Sequence, residues 1–327
     1  MTVEEVDPQY LAIHDTAPVV EGSTPRDALR RALDLACLGD RLGYRRYWAA
    51  ETHGMRGAAS CAPAVLAGRI AASTDRIRVG AGGVLLPYHS PLVVSEQFGT
   101  LEALHPGRID LAIGRGAGAA PAVRDAVNPR RDAARNSFSA EVDRLRGYFQ
   151  NEVHEGVRAV PAFGNSPQLW MLGSSAGSAI LAAEKDLPYA FGGFYNRNGA
   201  ESAGRTYQMH ARRPYLGIWV GVIAADTAEE AEYLAGSYRL KNASSTLWGR
   251  KRQLPSAEVA VRERPKDPGE LAVFYGATEG FVIGDGFSVR RELARLRRTT
   301  GADELILRTP VHDPEAKMRS FSLIADV

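Results

Sequence analysis

The stretch that decides the fold is residues 77–92, IRVGAGGVLLPYHSPL. It begins as a β-branched strand, loses its large side chains at Gly80, Gly82 and Gly83, and is apolar again before it stops at Pro87. Glycine inside a strand costs conformational entropy and offers no side chain to pack. A strand carries such a segment where it bulges, where its backbone is unusual, or where a flat group lies against it. The residues alone leave two explanations open, a bulge or a bound cofactor.

On both sides of this stretch, short apolar strands alternate with amphipathic helices along the chain. The predicted strands cover residues 10–14, 46–50, 77–86, 109–113, 169–172, 189–191, 215–224 and 304–307. Nearly continuous apolar strands separated by helices are typical of a parallel sheet with both faces covered. Eight of them predict an α/β fold, a (β/α)8 TIM barrel. A doubly wound sheet would have fewer strands and a phosphate-binding fingerprint after the first.

Residues 242–280 interrupt this alternation after the seventh strand. They are irregular in pattern, rich in Arg, Lys and Pro, and long for a connection between two elements. Loops of this length are usually lids or insertions. We therefore predict a single domain over residues 1–327 with a lid-like insertion at about 242–280.

Composition and charge exclude several classes of partner. The 327 residues carry 40 Lys+Arg and 38 Asp+Glu, a net charge of +2, without blocks of like charge. We therefore expect neither a nucleic acid nor an acidic membrane as partner. No apolar run approaches the roughly 20 residues of a membrane span, and residues 1–10 lack the apolar core of a signal peptide. Cys37 and Cys61 form no disulfide framework or motif and are predicted to be small core residues. These features favour a cytoplasmic protein.

The segment 173–178, GSSAGS, follows the fifth predicted strand and leads directly into a helix. Backbone amides at a helix start, together with the hydroxyls of Ser174, Ser175 and Ser178, form a site for an anion, typically a phosphate. Arg115, after the fourth strand, is placed to supply a counter-charge. The alternatives are an ordinary serine N-cap and a solvated arginine.

The histidines show no metal-binding pattern. All seven are scattered, and Glu51-Thr52-His53 offers no second ligand at helical spacing, so we predict no metal site. A single histidine is more often structural than catalytic. His53 and His89 nevertheless fall at the C-terminal ends of predicted strands, where the functional groups of a parallel barrel lie.

Several aromatic residues near predicted strand ends would suit a planar substrate. They are Trp48, Tyr88, Phe194 and Tyr195. Packing inside the barrel is an equally good explanation for Trp48.

Five segments identify the chain as a relative of a known family. They are residues 46–55 (RYWAAETHGM), 77–92, 96–116 (EQFGTLEALHPGRIDLAIGRG), 169–179 (LWMLGSSAGSA) and 300–307 (TGADELIL). Together they resemble the luciferase-like flavin monooxygenases, in particular single-chain relatives of the bacterial luciferase α subunit. The resemblance covers nearly the whole chain and is weakest around residues 116–135 and 240–285.

The resemblance implies a barrel that binds reduced FMN, reacts it with O₂ to a peroxyflavin, and inserts one oxygen atom into an organic substrate. It also implies a separate NAD(P)H-dependent flavin reductase, which supplies FMNH₂, and a homodimer. The residues that match the family's FMN-phosphate contacts are Arg115, Ser174, Ser175 and Ser178. Gly82 and Gly83 match the site of a non-prolyl cis peptide beneath the isoalloxazine ring.

The triplet Glu51-Thr52-His53 departs from the family's Glu-His-His pattern, because Thr52 stands where the family has an acid/base histidine near the flavin. A threonine hydroxyl can form a hydrogen bond but does not exchange protons near neutral pH as imidazole does. Either His53 or His89 takes over this role, or the substrate is already activated. A phenol or enolate, as in aromatic polyketides, would meet the second condition.

Two other functions stay open from the sequence. The first is an F420-dependent oxidoreductase that transfers hydride without oxygen, which is compatible with the same barrel. The second is a non-catalytic flavin-binding subunit, which the loss of the family histidine at Thr52 makes reasonable.

Overall fold

The computed structural model describes residues 6–116, 121–128, 137–192 and 199–326. Within them nine strands form one parallel sheet. The strands are β1 (Leu11–Asp15), β2 (Arg46–Ala49), β3 (Arg78–Leu85), β4 (Ile109–Gly114), β5 (Gln168–Gly173), β6 (Tyr189–Phe191), β7 (Leu216–Ala225), β8 (Val282–Asp285) and β9 (Glu304–Arg308).

Eight of these strands close into a barrel. The order β6-β5-β4-β3-β2-β1-β9-β7 is completed by pairing of β6 with β7, and each of these pairs is parallel. The predicted TIM barrel is confirmed. Strand β8 was not predicted; it is an extra strand that pairs outside the barrel with the last four residues of β7.

Twelve helices in the described ranges connect and cover the strands. They are α1 (Pro25–Arg41), α2 (Pro63–Ala71), α3 (Pro91–Leu104), α4 (Pro121–Val127), α5 (Phe138–Phe149), α6 (Ala176–Glu184), α7 (Ala200–His210), α8 (Ala228–Trp248), α9 (Ala257–Arg262), α10 (Pro268–Gly276), α11 (Gly286–Thr300) and α12 (Pro314–Ile324). None of these helices is both long and apolar enough to cross a membrane.

The segment predicted to be irregular, residues 242–280, is largely helical. Helix α8 continues through its first seven residues, and α9 and α10 follow and pack against α8. Each short helix is capped by one polar side chain: Ser256 accepts from the Val259 amide, and Asp267 accepts from the Gly269 amide. Such short helices carry almost no periodic signal of their own, and their apolar faces are defined only by packing on α8. The role of the segment as a lid stays a prediction.

The lower part of the barrel is filled by side chains, which leaves the C-terminal mouth as the place for a site. Arg46 lies in the interior, with Nε 2.6 Å from Oε2 of Glu304 and with Asp110 as a second partner. Above it, the ring of Trp48 packs edge-on against Trp170 at 5.2 Å between centroids, and its Nε1 donates to Asp110 at 2.9 Å. Trp48 is therefore core packing rather than part of a substrate pocket.

The cysteine prediction is wrong for one residue. Cys61 is exposed and Cys37 is only partly buried, and neither forms a disulfide. Composition does not reveal the exposure of a single small residue that lies in a loop before a helix.

Candidate functional site

The glycine pair of β3 lies at the barrel mouth and combines an unusual peptide bond with an irregularity in strand pairing. The peptide between Gly82 and Gly83 is cis, as the resemblance implies, and the register with β4 shifts between Gly82 and Val84. Both glycines are buried. A Cβ on Gly82 would lie 2.6 Å from the Trp48 ring, and one on Gly83 would lie 2.5 Å from the carbonyl oxygen of Ala112. Packing therefore requires glycine at both positions.

His14, at the end of β1, contacts this pair directly. Its Nε2 lies 2.6 Å from the carbonyl oxygen of Gly82. Burial and then the neighbouring Arg308 lower the pKa of His14 to about 4, so the ring is neutral at pH 7. A neutral imidazole that faces a carbonyl through Nε2 carries its proton there, which makes Nδ1 an acceptor.

The buried carboxylate of Glu51 contacts both histidines that the sequence predicts to be catalytic. Oε1 of Glu51 lies 2.7 Å from Nε2 of His53 and 2.6 Å from Nε2 of His89, while Oε2 accepts from the Leu85 amide at 2.7 Å. Burial raises the pKa of Glu51, but the hydrogen bonds from His89, His53 and the Leu85 amide outweigh it, and the net shift is downward. Glu51 is therefore ionised at neutral pH, and Nε2–H of each imidazole points at it.

Thr52 lies within the triplet but faces away from this cluster. Its hydroxyl donates to the carbonyl oxygen of Ser60 at 2.9 Å, and its amide donates to the same oxygen. The hydroxyl proton of Thr52 is thus committed to the backbone of the loop after β2. Among the described residues around this carboxylate, Glu51, His53 and His89 are placed to hold and move a proton, and a catalytic role for Thr52 stays a prediction.

The same three residues also form a possible metal-ligand set. One ligand atom from each of Glu51, His53 and His89 lies within 4.8 Å of the others. Two imidazoles and a carboxylate are the donors of several transition-metal sites. The prediction of no metal site considered only the spacing of Glu51 and His53, because the approach of His89 depends on the turn after β3. The absence of a metal site stays a prediction.

The serine turn after β5 combines an N-cap with an exposed helix start. Oγ of Ser175 accepts from the Ser178 amide at 3.3 Å, and Oγ of Ser178 accepts from the Ser175 amide at 3.2 Å, which forms a capping box for α6. The Ser178 hydroxyl also donates to the Ser175 carbonyl and lies 2.8 Å from the Tyr189 hydroxyl. Ser178 therefore shapes the turn. Ser174, which is exposed, and the first amides of α6 face solvent as donors for an anion.

The backbone of Arg115 lies next to the serine turn. The last paired residues of β4 and β5 are Ile113 and Met171, and Arg115 and Gly173 each follow two residues later. The exposed guanidinium of Arg115 lies 5.3 Å from the ring centroid of Phe138, a cation–π distance. Adjacent strands thus bring the four residues predicted to bind phosphate to one side of the mouth.

The structure describes two of the four aromatic residues predicted to suit a planar substrate, Trp48 and Tyr88. Tyr88 is buried, and its ring is edge-on to that of His53 at 6.1 Å between centroids. Phe194 and Tyr195 lie outside the described residues.

Comparison with known proteins shows which family the chain belongs to. The family model for the luciferase-like monooxygenases matches residues 11–304. The chain belongs to this family. A luciferase-like monooxygenase of Escherichia coli (strain K12) is 38% identical over 321 residues, 96% of this chain and 95% of that protein. The N-acetyl-S-alkylcysteine monooxygenase of Bacillus subtilis (strain 168) is 31% identical over 329 residues, 97% of each. The crystal structure of apo-MsnO8 has a TM-score of 0.89 at 37% identity and covers 97% of both chains.

Sequence reasoning missed two polar residues at the mouth of this luciferase-like monooxygenase. Glu51 was noted only as part of a triplet, although it joins both histidines. His14 is the last residue of the first predicted strand, 10–14, and received no role from the sequence. The available signal for His14 was alternation, because it is the last inward-facing residue of β1, two positions after the interior residue Ala12.

Proposed function

We propose that the protein is an FMNH₂-dependent monooxygenase that inserts one atom of O₂ into a small organic substrate. One observation carries the proposal. A side-chain-free strand segment, an anion-binding helix start and a buried carboxylate with two imidazoles share one barrel mouth. Membership of the luciferase-like monooxygenase family supports the same reaction class.

The residues present fit FMN. The cis Gly82–Gly83 segment brings no side chain of its own to the barrel mouth, which matches the flavin-binding segment that the resemblance implies. Ser174, the α6 amides and Arg115 offer donors and a positive charge for a phosphate on the neighbouring strands. When bound, reduced FMN supplies the electrons that activate O₂.

The protein's own contribution to proton transfer comes from the cluster of Glu51, His53 and His89. The ionised carboxylate fixes both imidazoles with Nε2–H toward Oε1, so Nδ1 of each ring is the atom that exchanges a proton. The side chain of His89 is 32% exposed and that of His53 is 20% exposed, whereas Glu51 is fully buried. We assign proton exchange with the substrate to His89, with Glu51 as its positioning residue.

We further propose the two protein partners expected from the sequence. A separate NAD(P)H-dependent flavin reductase supplies FMNH₂, and the exposed phosphate-binding turn at the rim suits a flavin that enters and leaves. A homodimer would cover apolar side chains that α2 and α3 leave exposed, namely Val65, Val93 and Leu104.

The deciding experiment combines photoreduced FMN with the protein under exclusion of oxygen and then admits ¹⁸O₂. N-Acetyl-S-methylcysteine is a suitable first substrate, because a relative 31% identical to this chain is named for oxygenation of N-acetyl-S-alkylcysteines. A panel of phenols and enolic polyketides tests the already activated substrates suggested by Thr52. We expect one ¹⁸O atom in the product. Oxidation of an alcohol by F420, or reduction of a ketone by reduced F420, without oxygen uptake would instead indicate the hydride-transfer alternative. FMN binding without turnover of any substrate would indicate a non-catalytic subunit.

A further inference from the structure

A column of aromatic side chains runs through the barrel interior, from the glycine pair at the mouth to the opposite end. We call Trp48, Trp170 and Tyr215 the aromatic column. Gly82 packs so closely on the Trp48 ring that an added Cβ would lie 2.6 Å from it. The ring centroid of Trp170 lies 5.2 Å from that of Trp48 and 5.4 Å from that of Tyr215, and both contacts are edge-on. Tyr215 immediately precedes β7 and is partly exposed, so the column reaches solvent at the N-terminal end of the barrel.

Both ends of the aromatic column are hydrogen-bonded to buried carboxylates. Nε1 of Trp48 donates to Asp110 at 2.9 Å. The hydroxyl of Tyr215 donates to Glu304, and both carboxylates are ion-paired with Arg46. Indole and phenol are among the side chains most readily oxidised by one electron, and each becomes strongly acidic once it has lost that electron. A carboxylate acceptor favours the loss, because it stabilises the positive charge and can take the proton.

Trp170, in the middle of the column, has a different environment. Its Nε1 is buried and has no acceptor among the residues that the structure describes. The guanidinium carbon of Arg46 lies 4.8 Å from the Trp170 ring centroid, closer than the 5.6 Å to Trp48, and a nearby cation opposes a second positive charge. A positive charge is therefore less stable on Trp170 than on either end of the column. Trp170 is suited to be a short-lived step between Trp48 and Tyr215.

We propose that the aromatic column is an electron relay that carries oxidising equivalents from the barrel mouth to the opposite end. An oxygen-centred radical, formed at the mouth when O₂ is activated without substrate, takes one electron from Trp48 and becomes the corresponding anion. Trp48 is restored by an electron from Trp170, and Trp170 in turn by one from Tyr215. The hydroxyl proton of Tyr215 passes to Glu304.

A thiol in solution completes the relay at the N-terminal end of the barrel. It gives one electron to Tyr215, Glu304 returns the proton, and the proton of the thiol goes to water. The relay thereby spares the histidines at the mouth from oxidation. The inference rests on the proposed monooxygenase function, which supplies O₂ activation at the mouth, and adds an electron-transfer activity to it.

The first test uses light to supply the oxidant, so it needs no turnover. A short pulse excites the protein loaded with oxidised FMN, and pentaamminechlorocobalt(III) in solution accepts the electron and prevents its return. Time-resolved absorption then follows the side-chain radicals. In the wild type we expect a tryptophan radical that is replaced by a tyrosine radical. Tyr215→Phe and Trp170→Phe should each keep the tryptophan radical and lose the tyrosine radical, because the first removes the end of the column and the second interrupts it.

Trp219→Phe is the matched control. Trp219 also contacts Trp48, at 6.2 Å between ring centroids, but it packs on the side of His14 and not of Tyr215, so the tyrosine radical should persist in this variant. Circular dichroism confirms that each variant is folded. A wild type with bound FMN that forms no tryptophan radical would overturn the relay. So would a tyrosine radical that persists in folded Tyr215→Phe or Trp170→Phe protein.

A second test separates the relay from the flavin. An ultraviolet pulse ionises tryptophan directly in protein without FMN, and the yield of the tyrosine radical should again fall in Tyr215→Phe and Trp170→Phe. Equal yields in the wild type and both variants would overturn the relay. The proposed monooxygenase function fails separately, when FMN does not bind or O₂ is not used, because the ultraviolet test measures the relay without either.

Discussion

Replacement of the buried carboxylate by its amide, Glu51→Gln, is the most informative perturbation of the proposed proton-transfer cluster. The carboxylate accepts three hydrogen bonds, from His53, His89 and the Leu85 amide. A glutamine has one acceptor oxygen, so at least one of these donors is left facing an NH₂ group. A buried donor without an acceptor costs about 1–3 kcal/mol. We therefore expect the free energy of unfolding to fall by about that amount.

We also expect the effect of Glu51→Gln on the free energy of unfolding to change with pH. The folded-state pKa of Glu51 is lowered below its ordinary value of 4.5. Its contribution to stability is therefore fully present above pH 4.5 and is lost as the pH falls through the lower, folded-state pKa. We expect the difference in stability between wild type and Glu51→Gln to shrink in that acidic window. Denaturant titrations at pH 7 and at several acidic pH values measure this difference.

The catalytic consequence is loss of imidazole orientation. In the variant, either imidazole can adopt the other tautomer to form a hydrogen bond with the amide. Nδ1 is then no longer the proton-exchanging atom in every molecule. We expect kcat to fall by about 10²- to 10⁴-fold, the usual size of a general acid–base contribution, with a smaller change in KM and an altered pH profile. Glu258→Gln, at an exposed position of α9, is the matched control and should change neither property. A Glu51→Gln protein with wild-type stability and wild-type turnover would refute the assignment.

Three further predictions concern packing and metal content. Gly83→Ala places a Cβ 2.5 Å from the Ala112 carbonyl, so denaturant titration should show a loss of about 1–3 kcal/mol, whereas Gly276→Ala, with open space around it, should show none. Arg46→Met removes the buried partner that Glu304 and Asp110 share and leaves them only the partly exposed Arg45 and Arg78, so it should cost about 3–5 kcal/mol in the same assay. Dialysis against EDTA should leave oxygenation unchanged, because we assign the histidine–glutamate cluster to proton transfer. Recovery of lost activity by added Zn²⁺ or Fe²⁺ would show that the cluster is a metal site.

The features that the sequence determined by itself are those with a local signal. Alternating apolar strands and helices predict the barrel, because side-chain periodicity records which face of each element is buried. The glycines of β3 and the serine turn before α6 are visible for the same reason, since close backbone approach and helix capping each require particular residues at fixed neighbouring positions. The match to the luciferase-like family then adds the expected role of each.

Only the tertiary structure decided which side chains meet at the mouth. Glu51 and His89 are 38 residues apart, and His14 and Gly82 are 68 residues apart. Closing eight strands into a barrel brings such residues to one end, and no local pattern records those distances. The helices α9 and α10 are likewise too short to be predicted without α8 to pack against.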